Sequence, residues 1–179
     1  SGANRRAQRG VPRMCGMVGC IGRADDTLDV LMDGLRSLEY RGYDSAGVAL
    51  GSDLTVLRKS GELDALAEVV EANEPTGTYG IGHTRWSTHG PPTDRNAPPH
   101  TAENGRAAVV HNGTIEHYSE LKSELDAEGV MFSRDTDTEA VPHLIAHNMP
   151  EALDADAPFH AHVHSPPGSH PNAAHHDPP

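Results

Sequence analysis

The sequence predicts an α+β fold. Between residues 14 and 148 short strand-like runs alternate with apolar residues at helical spacing, and glycine-, proline- and asparagine-rich breaks separate them. Residues 1–13 and 149–179 carry neither pattern.

Taken in order, Met17–Ile21 is a short apolar strand set between glycines. Leu28, Leu31, Met32, Leu35 and Leu38 recur at helical spacing, which makes Thr27–Leu38 an amphipathic helix. Ala46–Leu50 and Leu54–Arg58 flank Gly51-Ser52-Asp53, a hairpin signal. Leu63, Leu66, Val69 and Val70 mark a second helix that Pro75 and Gly77 end. Tyr79–His83 is a strand, followed by a long loop from Thr84 to about His100; loops of that length inside a compact domain usually carry function. Ala107–His111 reads as a buried strand turned by Asn112-Gly113. Tyr118, Leu121 and Leu125 place a third helix before Gly129, and Asp137 or Thr138 is expected to cap a fourth through Ile145, with Pro142 tolerated near its first turn.

Composition bounds the function classes. The chain has 179 residues, is 36% apolar and only 4% aromatic, so part of it is expected to stay outside any core. Its formal charge of −12, with lysine only at positions 59 and 122, disfavours binding to nucleic-acid phosphate. No apolar run reaches the roughly 18 residues of a membrane span. Cys15 and Cys20 are the only cysteines, which is no disulfide framework and suits a reducing, cytoplasmic setting. Arg5, Arg6, Arg9 and Arg13 make the start basic, but no apolar stretch follows to form a secretory signal. The segment 149–179 is rich in proline, histidine and alanine and is expected to be disordered, without strands. His160, His162 and His164 could hold a metal only weakly there, and no metal or other cofactor is expected.

Several segments carry reactive groups. Cys15 follows Met14 and precedes Gly16. A buried cysteine is ordinarily a small hydrophobe, and Cys20, inside the same strand, is read so. Removal of residues through Met14 would instead make Cys15 the first residue, with its own α-amine, of reference pKa near 8, as the base for a nucleophilic thiol. Glu39-Tyr40-Arg41-Gly42-Tyr43-Asp44-Ser45 packs charge and hydroxyls around a glycine at the end of the first helix; the plainer reading is a polar loop. His83-Thr84-Arg85-Trp86-Ser87-Thr88-His89-Gly90 opens the long loop. Arg85 can grip a carboxylate with two bonds. Thr88 and His89 can add donors or acceptors, and Trp86, the only tryptophan, can shield a ligand from water. His111-Asn112-Gly113-Thr114 is either a tight turn or an oxyanion site built from the Asn112 amide and the Gly113 N–H. In Arg134-Asp135-Thr136-Asp137-Thr138-Glu139, a carboxylate serves as a helix cap or holds an ammonium group.

In this order and spacing the segments resemble the class II, N-terminal-nucleophile glutamine amidotransferases, specifically the glutaminase domain of the glucosamine-6-phosphate synthase family, over about residues 15–145. The resemblance implies an N-terminal-nucleophile α/β/β/α sandwich that hydrolyses glutamine to glutamate and ammonia, the ammonia serving glucosamine 6-phosphate synthesis from fructose 6-phosphate. It implies Cys15 as nucleophile and Asn112 with Gly113 as oxyanion donors. It further implies Arg85, Thr88, His89 and Asp137 as glutamine contacts, Arg41 and Gly42 as organisers of the cysteine end, and Trp86 in the closing loop. Members of the family are usually homodimers. Amidophosphoribosyltransferase and asparagine synthetase are the alternative relatives; Tyr43 after Gly42, and the His83–Gly90 segment, favour the hexosamine family.

Thirteen residues precede Met14, and a free Cys15 amine requires that Met14 be the true start or that a protease trim the leader, the protein otherwise being inactive; the reading here is that residues 1–13 are a basic leader, disordered or not native. The family domain continues with further strands where this chain turns to its Pro/His-rich segment, so the sandwich is expected to be incomplete on its C-terminal side, with residues 15–148 a partial domain. A shifted reading frame would produce such a tail, and resequencing the coding DNA tests that. No sugar-isomerase domain is expected within these residues. Apolar surface left wet at about 25 cal/mol per Å² and open strand edges are expected to make the isolated chain unstable or prone to associate. The contrasting reading is an inactive fragment that at most binds glutamine.

Overall fold

The computed structural model describes residues 14–22, 26–51, 53–87, 90–149 and 163–164. Its first sheet is built from β1 (Gly16–Ile21), β2 (Ser45–Leu50), β3 (Thr55–Ser60) and β4 (Tyr79–Arg85) in the order β1-β4-β2-β3, with every neighbour antiparallel. Helices α1 (Thr27–Ser37) and α2 (Leu63–Asn73) cover one face. Between them and the sheet lies the larger core, in which Leu31, Leu35, Val48, Leu50, Leu63 and Leu66 are all but fully buried. Each such leucine contributes about 1.5–3 kcal/mol of burial.

The opposite face meets a second sheet of β5 (His100–Thr101), β6 (Ala108–His111) and β7 (Val163–His164). Ala49 and Ile81 from the first sheet pack on Ala108 and Val110 from the second. Beyond it stand α3 (Tyr118–Ala127) and α4 (Ala140–Asn148), the latter packed on β5 and β6. The architecture is therefore α+β in four layers, α/β/β/α.

Strand β4 explains how two different layers use one strand. Its alternation points Gly80 and Gly82 at α1, where a Cβ would lie 2.8 Å from Leu31 Cδ1 and 3.1 Å from Leu35 Cδ1. The small residues let the helix approach closely. The other face of the same strand carries Ile81, His83 and Arg85, all buried.

Three expectations are corrected. The strand expected at 79–83 runs on to Arg85, because Thr84 pairs with Gly16 and Arg85 with Ser45; the loop after it does run to His100, where β5 begins. Neither Asp137 nor Thr138 caps the fourth helix: residues 137–139 form a 3₁₀ turn, α4 starts at Ala140, and its cap makes no side-chain hydrogen bond. The Asp137 carboxylate is engaged elsewhere. The segment expected to lack strands contributes β7, parallel to β6 with Val110 opposite Val163 and His111 opposite His164. The other calls on residues 150–179, and that on 1–13, lie outside the described residues. Cys20 sits at the margin of the first core, half-buried.

Strand β1 is an open edge, and Ile21 at its end is 93% exposed. Among the described residues no helix is long and apolar enough to cross a membrane.

Candidate active site

Antiparallel pairing of β1 with β4 sets the first half of the site. Met17 lies opposite His83 and Gly16 opposite Thr84, so Cys15, next along the strand, comes level with Arg85. The pleat then turns Cys15, His83 and Arg85 to the same face, toward the second sheet. The other half comes from the end of β6, where His111 leads into Asn112 and Gly113, and from the 3₁₀ turn that presents Asp137. Together these residues line a cavity of about 160 Å³, with Trp86, His100, Thr114, Thr136 and Thr138 completing its wall.

Cys15 is half-buried and held at several atoms. The Trp86 N–H donates to its Sγ at 3.3 Å. Its carbonyl oxygen accepts long bonds from Arg41 Nη1 and Asn112 Nδ2, both at 3.5 Å. The next N–H, of Gly16, donates to Thr84 Oγ1 at 3.1 Å. A Cβ on Gly16 would approach that hydroxyl to 2.8 Å and Leu38 Cδ1 to 2.7 Å, so a side chain there would disturb the backbone beside the thiol. Burial raises the thiol pKa above its ordinary value. The Trp86 N–H and the Arg85 charge pull it down, and Asp44 pushes it up. The thiol is thus mainly protonated near neutrality and needs a base to become a nucleophile.

Arg85 is 7% exposed. Burial lowers its pKa, while the negative charges of Asp44 and Asp137, and that of Cys15 when its thiol is ionised, favour its charged form. Asp137, also buried, accepts the Ile115 N–H at 2.7 Å through Oδ2 and the Thr138 hydroxyl at 3.4 Å through Oδ1. Its carboxylate therefore ties the 3₁₀ turn to the loop that follows Asn112-Gly113. A Cβ on Gly113 would lie 2.9 Å from His111 Nε2, so a side chain there would push the His111 ring aside. Gly42 follows the 3₁₀ turn Glu39–Arg41 at φ 72°, a conformation glycine adopts without strain.

The structure brings Cys15, Arg85, Trp86, Asn112, Gly113 and Asp137 to one cavity and runs Arg41 to its edge. Thr88 and His89 lie outside the described residues. Sequence reasoning assigned no role to His83, His100 and Thr136, which line the same wall, nor to Asp44, and it read Thr138 only as a candidate helix cap. The Asp44 carboxylate accepts the Ser87 N–H at 2.7 Å and the Ser45 hydroxyl at 3.1 Å, and its own N–H donates to the Arg85 carbonyl at 2.8 Å. These bonds fix the chain where β4 becomes loop. The alternation of β4 was the available signal for His83: it shares a face with Arg85, two residues on. A larger groove of about 560 Å³ between α1 and α2 holds no cysteine, histidine or buried charge.

Residues 83–157 match the model of the glutamine amidotransferase domain family. The glutamine–fructose-6-phosphate aminotransferase [isomerizing] of Symbiobacterium thermophilum is 60% identical over 136 residues, covering 74% of this chain and 22% of that protein. That of Thermus thermophilus is 57% identical over 134 residues with the same coverage. Among solved structures, the glutamine phosphoribosylpyrophosphate amidotransferase of B. subtilis superposes with a TM-score of 0.61 at 29% identity, over 76% of this chain and 30% of its own. Fold and matches point the same way: this chain resembles glutamine amidotransferases, with the family match over residues 83–157 and the fold shared with the B. subtilis enzyme. Within that class it is similar to the glutamine–fructose-6-phosphate aminotransferases, of which it spans about a fifth of the length, in their glutaminase part.

Proposed function

We propose that this chain hydrolyses glutamine to glutamate and ammonia through Cys15, and that the ammonia serves the amination of fructose 6-phosphate. The observation that carries the first step is the convergence of a thiol, a buried guanidinium, a buried carboxylate and an Asn-Gly turn on one 160 Å³ cavity. Arg85 and Asp137 offer opposite charges to the two ends of an amino-acid zwitterion: Arg85 takes the α-carboxylate and Asp137 the α-ammonium. Thr88 and His89 add further glutamine contacts, and Trp86 closes over them.

The chemistry follows from what the thiol lacks. With its pKa raised by burial, it requires a base, and the α-amine of Cys15 supplies one once the preceding residues are removed. The thiolate attacks the carboxamide carbon. The oxyanion takes N–H donors from Asn112 and Gly113, ammonia leaves with the proton drawn from the thiol, and a glutamyl thioester remains for water. Arg41, bonded to the Cys15 carbonyl, and Gly42 hold the cysteine end in place. The second step rests on the relatives' identity of 54–60%, against 29% for the phosphoribosylpyrophosphate enzyme. The sugar-isomerase part lies outside this chain, and a cytoplasmic setting suits its free thiols.

Intact-mass spectrometry before and after 6-diazo-5-oxo-norleucine tests this reading. A chain that begins at Cys15 and gains one adduct there, with glutamate formed from glutamine, is the expected result. A chain beginning at Ser1 that takes no adduct and releases no ammonia would instead be an inactive relative.

A further inference from the structure

His83 differs from the other two histidines of the cavity wall. His100 Nδ1 lies 3.4 Å from Thr136 Oγ1, and His111 Nδ1 lies 3.4 Å from Thr138 Oγ1. His83 is 2% exposed, and neither ring nitrogen meets a hydrogen-bond partner among the described residues. A buried polar group left unsatisfied destabilises the fold unless something else binds it. Two residues earlier on the same face of β4, the position is simply apolar, Ile81. The imidazole also faces the cavity that Cys15 lines. On paired strands Cys15 and His83 are diagonal neighbours, about 7–8 Å apart at the backbone. Gly47, opposite His83 on β2, leaves its side-chain space to the Pro98 carbonyl oxygen, onto which a Cβ would fall.

Resting on the glutaminase reading above, we infer that His83 binds the water that hydrolyses the glutamyl thioester on Cys15. The cavity volume is several times the roughly 30 Å³ share of one water. Burial, with Arg85 and His111 nearby, holds the His83 pKa down to about 3, so the ring stays neutral and offers one donor and one acceptor. It orients the water and does not take its proton. The water oxygen bonds to the thioester carbon, the C–S bond breaks, and the sulfur leaves with the electron pair. One water proton ends on sulfur and the other departs with the new γ-carboxyl group.

The test compares the full chain with His83→Leu and His83→Gln. Alkylation of Cys15 by 6-diazo-5-oxo-norleucine reports attack by the thiol; glutamine turnover with intact mass after rapid quenching reports thioester hydrolysis. His83→Leu is expected to alkylate at the wild-type rate, to turn over about 100-fold more slowly and to carry a glutamyl adduct at steady state. His83→Gln, which keeps a donor and an acceptor, is expected to fall between the two. The wild-type deacylation rate should show no limb near pH 6.5, where a titrating histidine base would produce one. Wild-type turnover in His83→Leu, or equal loss of alkylation and turnover in both variants, overturns the inference alone. If His83→Leu does not fold, His83→Gln decides: an adduct supports the assignment, and wild-type turnover without one overturns it. A wild-type chain that neither alkylates nor turns over glutamine overturns the glutaminase reading, and the inference with it.

Discussion

The two faces of the first sheet do different work with the same strands. The face toward α1 and α2 is filled by leucines and valines, and among the described residues only the half-buried Cys20 and Tyr43 bring ionisable groups against it: Leu31, Leu35, Val48, Leu50, Leu63 and Leu66 form one continuous core. The face toward the second sheet has only a small apolar cluster, Ala49, Ile81, Ala108 and Val110. Further along, the same face changes to Cys15, His83 and Arg85, opposite His100, His111 and Asp137. Apolar burial stabilises without direction, so it suits the layer that must only hold. Desolvated charges and imidazoles cost stability, and they are tolerated only where they are paired or used.

This contrast can be broken by single substitutions. Leu35→Ala, in the helix-facing layer, is expected to cost about 2–5 kcal/mol, because Leu35 is fully buried and its removal leaves a cavity. Denaturant titration should show that loss, while the Cys15 alkylation rate of the folded fraction stays unchanged. A changed alkylation rate at full folding would mean the two faces are coupled. Asn112→Ala should do the opposite: glutamine turnover falls about 100- to 1,000-fold, with the denaturation midpoint moved little, since Asn112 is only half-buried. Equal losses in both measurements would mark Asn112 as part of the scaffold.

The smallest effect is expected outside both layers. Asp94 accepts bonds from Lys59 Nζ at 2.6 Å and from the Ser60 N–H and hydroxyl at 2.7 and 2.6 Å, which lower its pKa to about 2 from the ordinary 3.8. A depressed carboxylate contributes stability that is present above its unfolded pKa and is lost as pH falls toward its folded value. Between pH 4 and pH 2 the wild-type thermal midpoint should therefore drop slightly more than that of Asp94→Asn. The pair is about half exposed, so the difference stays under about 1 kcal/mol and shrinks in salt. Identical slopes would show that the solvent-exposed pair contributes nothing.

Local pattern made most of the scaffold legible. Helical spacing of Leu31, Met32 and Leu35 and of Leu63, Leu66 and Val70 placed both covering helices, since a repeat near 3.6 residues needs only the chain itself. The four long strands were legible from apolar runs between glycine-rich breaks. Two-residue strands such as His100–Thr101 were not, because nothing local separates them from loop; pairing with β6 alone makes them strands. The same holds for Val163–His164, which exists as a strand only through Val110 and His111.

By itself the sequence determined which chemistry was available: a thiol followed by a glycine, an arginine at a strand's end, an Asn-Gly turn and an acidic turn, in an order that resembles a known family. Their grouping required the fold. Cys15 and Asn112 are 97 positions apart, and only the packing of two sheets sets the amide of one 3.5 Å from the carbonyl of the other. Asp137 is the sharper case. The sequence marked it as a helix cap or an ammonium partner, but its carboxylate bonds the Ile115 N–H, 22 positions away. A cap is a local bond between neighbours, whereas this one depends on where two separate loops are brought together. His83 is a plain strand residue until β1, β2 and the second sheet enclose it. Its solvation, and with it its protonation and its use, is a property of the enclosed space, which tertiary structure alone decides.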